Sequence, residues 1–275
     1  MLVVAALVGV LSAGAAAAPS ALPPGGQISP SLEYITRVPD SAGIVEGKFD
    51  TVGGREVLVV TGRFGFKTYD VSNPLSPQLL DTFQPPEILG PNGYWQDEDM
   101  DLDTRRDLII GALDPRHDNV DQASCPGIGT SGTKTRNPLC RSGFYVISYA
   151  DPENLTQIGD FVELPAGHTT SCIEDCDYVW TGGPARRNDQ TSLGPFTPGG
   201  RGDGRPIWVT NLKDPAHPET FPKPIDLGRN DGLTDYSHDV DVDDHGIAWV
   251  SGRGGVRGYA TVSYTHLTLP TNREV

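Results

Sequence analysis

The chain has 275 residues, of which 37% are hydrophobic and 21% charged, and it is rich in turn-forming residues, with 33 Gly and 24 Pro. Its 36 acidic residues against 21 Lys and Arg give a net charge of −15, which argues against nucleic acid as a partner. The composition predicts a globular protein with a sizeable core and many turns.

The N-terminus has the features of a secretory signal peptide. An apolar run over residues 2–11 is followed by the small-residue stretch Ala15 to Ala18, which supplies an A-x-A cleavage site. The run is too short to span a membrane. We therefore expect a signal peptide over residues 1–18, a Pro- and Gly-rich linker over 19–43, and a protein that is secreted or held at the cell surface, with no membrane span.

Short β-type segments separated by Gly, Pro, Asn and Asp follow along the chain, and no stretch keeps a helical apolar period for more than about two turns. Three segments end in an Asn-Pro or Asp-Pro turn, in which the proline fixes φ and the preceding side chain caps the backbone before it. They are Phe66–Pro74, Phe144–Pro152 and Ile207–Pro215.

The strands before these turns also repeat. Glu98, His168 and His238 lie seventy residues apart, and each begins a strand that is followed by a turn and a buried strand. This period predicts an all-β fold, a β-propeller of four-stranded blades. The blades are expected at about 44–83, 95–162 and 167–226, with a fourth beginning near 236.

The predicted ring is incomplete. A closed propeller would need about six or seven blades, whereas residues 44–261 supply about three and a half. We therefore expect an apolar sheet face to remain exposed. Three tryptophans at recurring strand positions are expected in the core: Trp180, Trp208 and Trp249.

Val57-Leu58-Val59-Val60 followed by Tyr69-Asp70-Val71-Ser72-Asn73-Pro74 resembles the LVIVD repeat of secreted and cell-surface bacterial β-propellers. The resemblance covers about residues 44 to 260 and is weaker in the later blades, where Ser148-Tyr149-Ala150 and Thr210-Asn211-Leu212 replace Asp-Val-Ser. The segment from His238 to Val250 also resembles an NHL-type blade. Both resemblances imply a propeller, and neither implies a particular activity.

The last residues differ in character from the rest. The segment Val262–Thr271 resembles the translation of a sequencing-library adaptor, so we expect 262–275 to be a non-native tail and the sequence to be a fragment of a longer chain. The full-length protein is expected to be a monomer.

The four cysteines form two pairs that are close in sequence, Cys125 with Cys140 and Cys172 with Cys176. An exported protein meets an oxidising compartment, so two disulfides are predicted. Three connectivities are possible, and sequence proximity favours the local one. The zinc alternative is weak because a structural site would need a second close pair or nearby histidines.

Two long insertions, 113–142 and 182–205, fall between the second and third strands of blades 2 and 3. That end of a blade is also where its first strand begins, so Glu98, His168 and His238 are expected to converge there, at the mouth of the central channel. Two imidazoles and a carboxylate can hold a divalent transition metal, or act as general acid and base. The other interpretation is that each of these three side chains forms hydrogen bonds with neighbouring backbone groups or with water in the channel.

Aspartates occupy alternate positions along the first strands of blades 2 and 4, so the three side chains of each strand point to the same face of the sheet. Asp239 and Asp241 are therefore further candidate metal ligands, although the pattern lacks the Gly and Glu of an EF-hand loop. The alternative is that an aspartate caps the turn after each first strand. The sets are Asp99, Asp101 and Asp103, and Asp239, Asp241 and Asp243.

Two functions follow from these features. The first is a secreted binding or scaffolding protein, which holds an unknown protein or small-molecule ligand on the end that carries the insertions. The alternative is a metal-dependent hydrolase or oxidoreductase at the channel mouth, using Glu98, His168 and His238. A divalent metal ion is the one cofactor that the sequence suggests.

Overall fold

The structure is a computed structural model, and it describes residues 21–22, 24–86, 99–113, 143–164, 167–182, 190–191, 194–195, 206–221, 225–226, 237–252 and 255–261. The regular elements in these ranges are all β-strands. None of the described segments forms a helix with the length and hydropathy needed to cross a lipid bilayer. The predicted signal peptide, the predicted tail, and the Cys125 and Cys140 positions lie outside the described residues.

Blade 1 is a four-stranded antiparallel meander in the order β1-β2-β3-β4. Its first two strands are joined through Gly53 and Gly54, whose φ angles of +60° and +83° suit a tight hairpin turn that other residues rarely adopt. The strands are β1 (Ile44–Val52), β2 (Arg55–Gly62), β3 (Gly65–Asp70) and β4 (Gln78–Phe83).

Blades 2 and 3 repeat this meander, each with one extra short strand paired to its third strand. Blade 2 contains β5 (Met100–Asp103), β6 (Leu108–Leu113), β7 (Gly143–Ser148), β8 (Thr156–Gln157) and β9 (Val162–Glu163). Blade 3 contains β10 (Thr169–Ile173), β11 (Tyr178–Gly182), β14 (Pro206–Asn211), β15 (Glu219–Thr220) and β16 (Ile225–Asp226). Between β11 and β14, a separate hairpin is formed by β12 (Gln190–Thr191) and β13 (Gly194–Pro195).

Blade 4 has three described strands in the order β17-β18-β19. They are β17 (Ser237–Val242), β18 (Ile247–Gly252) and β19 (Gly255–Ala260).

The blades pack face to face, with one apolar cluster at each boundary. Phe66 of blade 1 packs with Ile109 of blade 2, and Val179 of blade 3 packs with Ile110 of blade 2. Trp180 of blade 3 packs with Val250 of blade 4. The first strands β1, β5, β10 and β17 lie side by side and are joined by side-chain hydrogen bonds. The chain is therefore an all-β propeller, as the repeat period predicts.

A glycine sets the approach of the first two blades. A Cβ on Gly111 of β6 would lie 2.2 Å from the ring of Phe66, so a side chain there would push the blades apart. Phe66 is fully buried because this position has no side chain. The close packing of the blades therefore depends on this glycine.

The repeated Asn-Pro and Asp-Pro turns are present in all three blades. The Oδ1 atoms of Asn73, Asp151 and Asp214 accept hydrogen bonds of 3.1 to 3.2 Å from the backbone N–H two residues later. Each side chain therefore caps the backbone that follows it, whereas the sequence had suggested the backbone before it.

Two sheet faces stay open, one at each end of the array. Phe49 on β1 is 68% exposed, and Val256 on β19 is 66% exposed. Trp249 is 46% exposed on the same face of blade 4 as Val256. The prediction that Trp249 is buried is therefore wrong, because no described blade covers that face, whereas Trp180 and Trp208 are buried as predicted.

Candidate functional site at the inner rim

Two histidines meet across the boundary between blades 3 and 4. His168, just before β10, and His238 on β17 bring their Nε2 atoms to 3.2 Å. The ring centroids are 4.6 Å apart with an interplanar angle of 85°, so the rings meet edge to face and share an Nε2–Nε2 hydrogen bond. His168 is half-buried and His238 is exposed, so the pair is accessible from solvent.

This pair lies at the end of the blades from which the long insertions start. The backbone N–H of His168 donates to the carbonyl of Gly182, which ends β11 and begins the second insertion. A Cβ on Gly182 would lie 2.9 Å from the Oγ of Ser237, which precedes His238. The backbone around both histidines is therefore set by the close approach of blade 4 to the end of β11.

Carboxylates at the first strands of blades 1 and 2 hold the first strand of the next blade. Glu46 Oε2 of blade 1 accepts a 2.6 Å hydrogen bond from the N–H of Met100 in blade 2. One blade later and at the same register, Asp99 Oδ2 accepts a 2.9 Å bond from the N–H of Thr170. Asp101 Oδ2 repeats the pattern with the N–H of Cys172, at 2.8 Å.

Thr169 connects these carboxylates beside the histidines. Its Oγ1 lies 2.5 Å from Asp99 Oδ2 and 3.2 Å from Asp239 Oδ1. Thr169 follows His168 and Asp239 follows His238 in sequence, so this hydroxyl fixes the spacing of the two strands one residue beyond the histidine pair.

The inner rim is the region formed by the first strands β1, β5, β10 and β17 together with Asp99 and His168, which directly precede β5 and β10. Burial and crowding of negative charge perturb the acids of this rim. Partial burial, and after it the negative charge of Glu46, raise the pKa of Asp99 to about 8. Burial also raises the pKa of Glu46 and outweighs the opposing charge of Lys48. The pKa of Lys48 is raised although burial opposes this, because Asp101 and Glu46 lie beside it. Asp99 therefore carries a proton near neutral pH.

The structure places the other three predicted metal ligands, Glu98, Asp239 and Asp241, differently with respect to the histidine pair. Glu98 lies outside the described residues. Asp239 lies beside the pair through Thr169, whereas Asp241 is exposed on the open face of blade 4, where its Oδ1 accepts the N–H of Val242. Across the part of the chain that the structure describes, no group of three or more His, Cys, Asp or Glu side chains is arranged to hold a metal ion.

The turn-capping alternative holds for the last aspartate of each set. Asp103 Oδ1 accepts the N–H groups of Arg105 and Arg106, and Asp243 Oδ1 accepts those of His245 and Ile247. The alternating aspartates thus divide their roles, since Asp99 and Asp101 bind the next blade while the last one closes the turn.

A disulfide joins Cys172 to Cys176, the local pairing that the spacing predicts. It closes the turn between β10 and β11, where Glu174, Asp175 and Cys176 all have φ angles between +53° and +61°. Three successive non-glycine residues in this left-handed region are unfavourable, so the disulfide helps to hold a strained turn.

Three residues of the rim were not found from the sequence. Glu46 and Lys48 occupy the positions in blade 1 that Asp99 and Asp101 occupy in blade 2. The repeat was not recognised there because the Asp-x-Asp of blade 2 is replaced by Glu-x-Lys. Thr169 takes the same position in blade 3. The seventy-residue spacing does not reach β1. Aligning β1 with β5 by position in the strand, whatever the residue type, would have found Glu46 and Lys48.

No protein-family model matches the chain, and no curated protein matches it. Among solved structures, the chain is similar to a gluconolactonase from Xanthomonas campestris, with a TM-score of 0.40 and 14% sequence identity. The match covers 74% of this chain and 58% of the gluconolactonase chain, so this chain spans less than two thirds of that protein. A likeness this distant assigns no activity.

Proposed function

We propose that this chain is part of a secreted β-propeller of the LVIVD-repeat type that binds a ligand at its inner rim without chemical turnover. The observation that carries the proposal is the meeting of His168 and His238 across the boundary of blades 3 and 4, at the insertion-bearing end. Export is supported by the signal-like residues 1–18 and by the Cys172–Cys176 disulfide.

The hydrogen bonding around the pair supports a binding role. Glu46, Asp99 and Asp101 each accept an N–H group from the following blade, so these carboxylates contribute to the framework of the rim. Such supporting contacts hold side chains in a fixed arrangement before a ligand arrives. The accessible imidazoles are then the groups that meet the ligand.

The proposal is tested by a thermal-shift screen with a defined panel of divalent cations, amino acids, sugars and short peptides. A ligand at 100 times its Kd would stabilise the folded state by about 2.7 kcal/mol. We expect at least one ligand whose shift is lost in both His168→Ala and His238→Ala.

The matched control is His245→Ala, which removes an exposed histidine from the β17–β18 turn of the same blade. This variant should keep the full shift. Shifts that persist in both rim variants, or conversion of the ligand to a product detected by mass spectrometry, would overturn the binding proposal.

A metal-dependent hydrolase or oxidoreductase is the second candidate, favoured by the raised pKa of Asp99. A carboxyl group that is protonated near neutral pH can act as a general acid, and an imidazole nearby can act as the base. In this function His168, His238 and Glu98 would be the metal ligands or acid–base groups. Product formation that is lost in Asp99→Asn and His168→Ala, and kept in His245→Ala, would establish it over the first.

A further inference from the structure

We infer that His168 and His238 bind one divalent transition-metal ion between their Nε2 atoms. This inference rests on the binding role proposed above and names the class of ligand.

The two nitrogens share a hydrogen bond in this structure, and their separation is also that of two ligands on one metal ion. Metal–nitrogen bonds of about 2.0–2.1 Å place two imidazole nitrogens about 3.3 Å apart at a tetrahedral angle and about 2.9 Å apart at a right angle. The observed Nε2–Nε2 distance is 3.2 Å. The centroids are 4.6 Å apart and the ring planes are nearly perpendicular, so the rings do not stack face to face.

The strands that carry the histidines are fixed next to the pair. Thr169 Oγ1 bridges Asp99 and Asp239 immediately beyond the two histidines, and the N–H of His168 is bonded to Gly182. Metal binding therefore needs little rearrangement of the backbone, which lowers its cost in conformational entropy.

The surrounding charge favours a cation. Glu46, Asp101 and Asp239 lie on the neighbouring first strands, with Lys48 among them, and the chain carries a net charge of −15. A divalent ion at the rim would be attracted by this negative potential.

The donor atoms select the metal class. Imidazole nitrogens suit zinc, copper, nickel and cobalt, whereas calcium and magnesium prefer oxygen ligands. Two protein ligands also leave coordination positions for water or for a group on another molecule, as in metal sites that act on a bound ligand.

The test is isothermal titration calorimetry of the purified, untagged chain with zinc chloride. One ion should bind per chain, and His168→Ala and His238→Ala should each weaken binding at least tenfold, while His245→Ala binds as the wild type does. Magnesium chloride should give no binding at these concentrations. His238 is exposed, so its replacement should not unfold the protein, and a melting curve for each variant checks this.

Cobalt(II) gives a second measurement, since its visible absorption bands report imidazole ligation and should be absent in both rim variants. Zinc binding that is absent, or that is unchanged in both rim variants, overturns the metal site. An organic ligand that still depends on both histidines would in that case leave the binding function standing. Zinc binding at the pair with no other ligand in the screen would support the metal site and restrict the binding function to the ion.

Discussion

Asp99 shows how a single residue can serve both the architecture and the chemistry of the rim. Its carboxyl group accepts hydrogen bonds from Thr170 and Thr169 of the next blade and donates one to Glu46. Because it is partly buried and next to Glu46, its pKa rises to about 8. Folding therefore takes up a proton between the ordinary pKa of an aspartate and this raised value, so this group makes the protein less stable as the pH rises through that interval.

We expect Asp99→Asn to change the pH dependence of stability. The amide keeps an acceptor for Thr170 and a donor for Glu46 but has no proton to lose, so the variant should gain stability relative to the wild type as the pH is raised from 4 to 8. Each pKa unit of the shift corresponds to about 1.4 kcal/mol, shared with Glu46. Urea unfolding across this pH range measures the gain, with Asp241→Asn as the control for removing one charge. A constant difference between wild type and Asp99→Asn at all pH values would contradict the prediction.

Among the connecting elements, the β5–β6 turn joins blade 2 to blade 3. Arg106 forms an ion pair with the buried Asp103 and donates to the carbonyls of Leu212 and Cys176 in blade 3. Arg105, beside it, reaches Asp177 of the same blade but is half exposed. Two adjacent arginines therefore span one boundary in different environments.

Arg106→Ala should destabilise the protein by up to about 3–5 kcal/mol, because the buried carboxylate of Asp103 keeps only the more distant Arg105, whose Nε lies 4.0 Å from Asp103 Oδ1. Arg105→Ala, the matched control, removes the solvent-accessible pair with Asp177 and the long 4.0 Å contact with Asp103, and should cost less than about 1 kcal/mol. Arg106→Lys should restore only part of the loss, since an ammonium group lacks the planar geometry that reaches three acceptors. Guanidinium unfolding of the four proteins tests this, and equal losses in the two alanine variants would refute it.

The repeat pattern predicted these elements well because each blade carries local signals. The Asn/Asp-Pro turns and the seventy-residue spacing located the strands, and the common register of His168 and His238 predicted that they meet. The partner of each aspartate could not be predicted, because it depends on how neighbouring blades are staggered. The prediction that Trp249 is buried was wrong for a related reason. The position of a residue in a strand determines the sheet face on which its side chain lies, but not whether another blade covers that face.

At the scale of the whole molecule, the two open faces are complementary. The carboxylate series of the first strands continues on blade 4 with Asp239 and Asp241, which lie on the same face as Trp249. β1 offers the positions Gly47 and Phe49, which correspond to residues that donate a backbone N–H to such a carboxylate in blades 2 and 3. Within the described residues neither face is covered, and a second copy of the chain presents the matching one.

We expect the 275-residue chain to associate head to tail, blade 4 of one copy on blade 1 of the next. Sedimentation velocity should show a mass that rises with concentration, and Phe49→Asp or Trp249→Asp should reduce it to the monomer. Leu32→Asp is the control, since Leu32 is 67% exposed but lies in the segment before β1. A monomer at all concentrations, or an equal effect of the control, would rule out this mode of association.

The carboxylates that hold neighbouring blades together also close sheet edges. β5 and β10 are edge strands of their sheets, and unpaired N–H groups on such strands can recruit strands from other chains. Blades 1 and 2 each cover part of the edge of the blade that follows in the chain. Since a ribosome delivers the blades in that same order, the inner edges of blades 2 and 3 would be protected from amyloid-like pairing as soon as each packs on the blade before it.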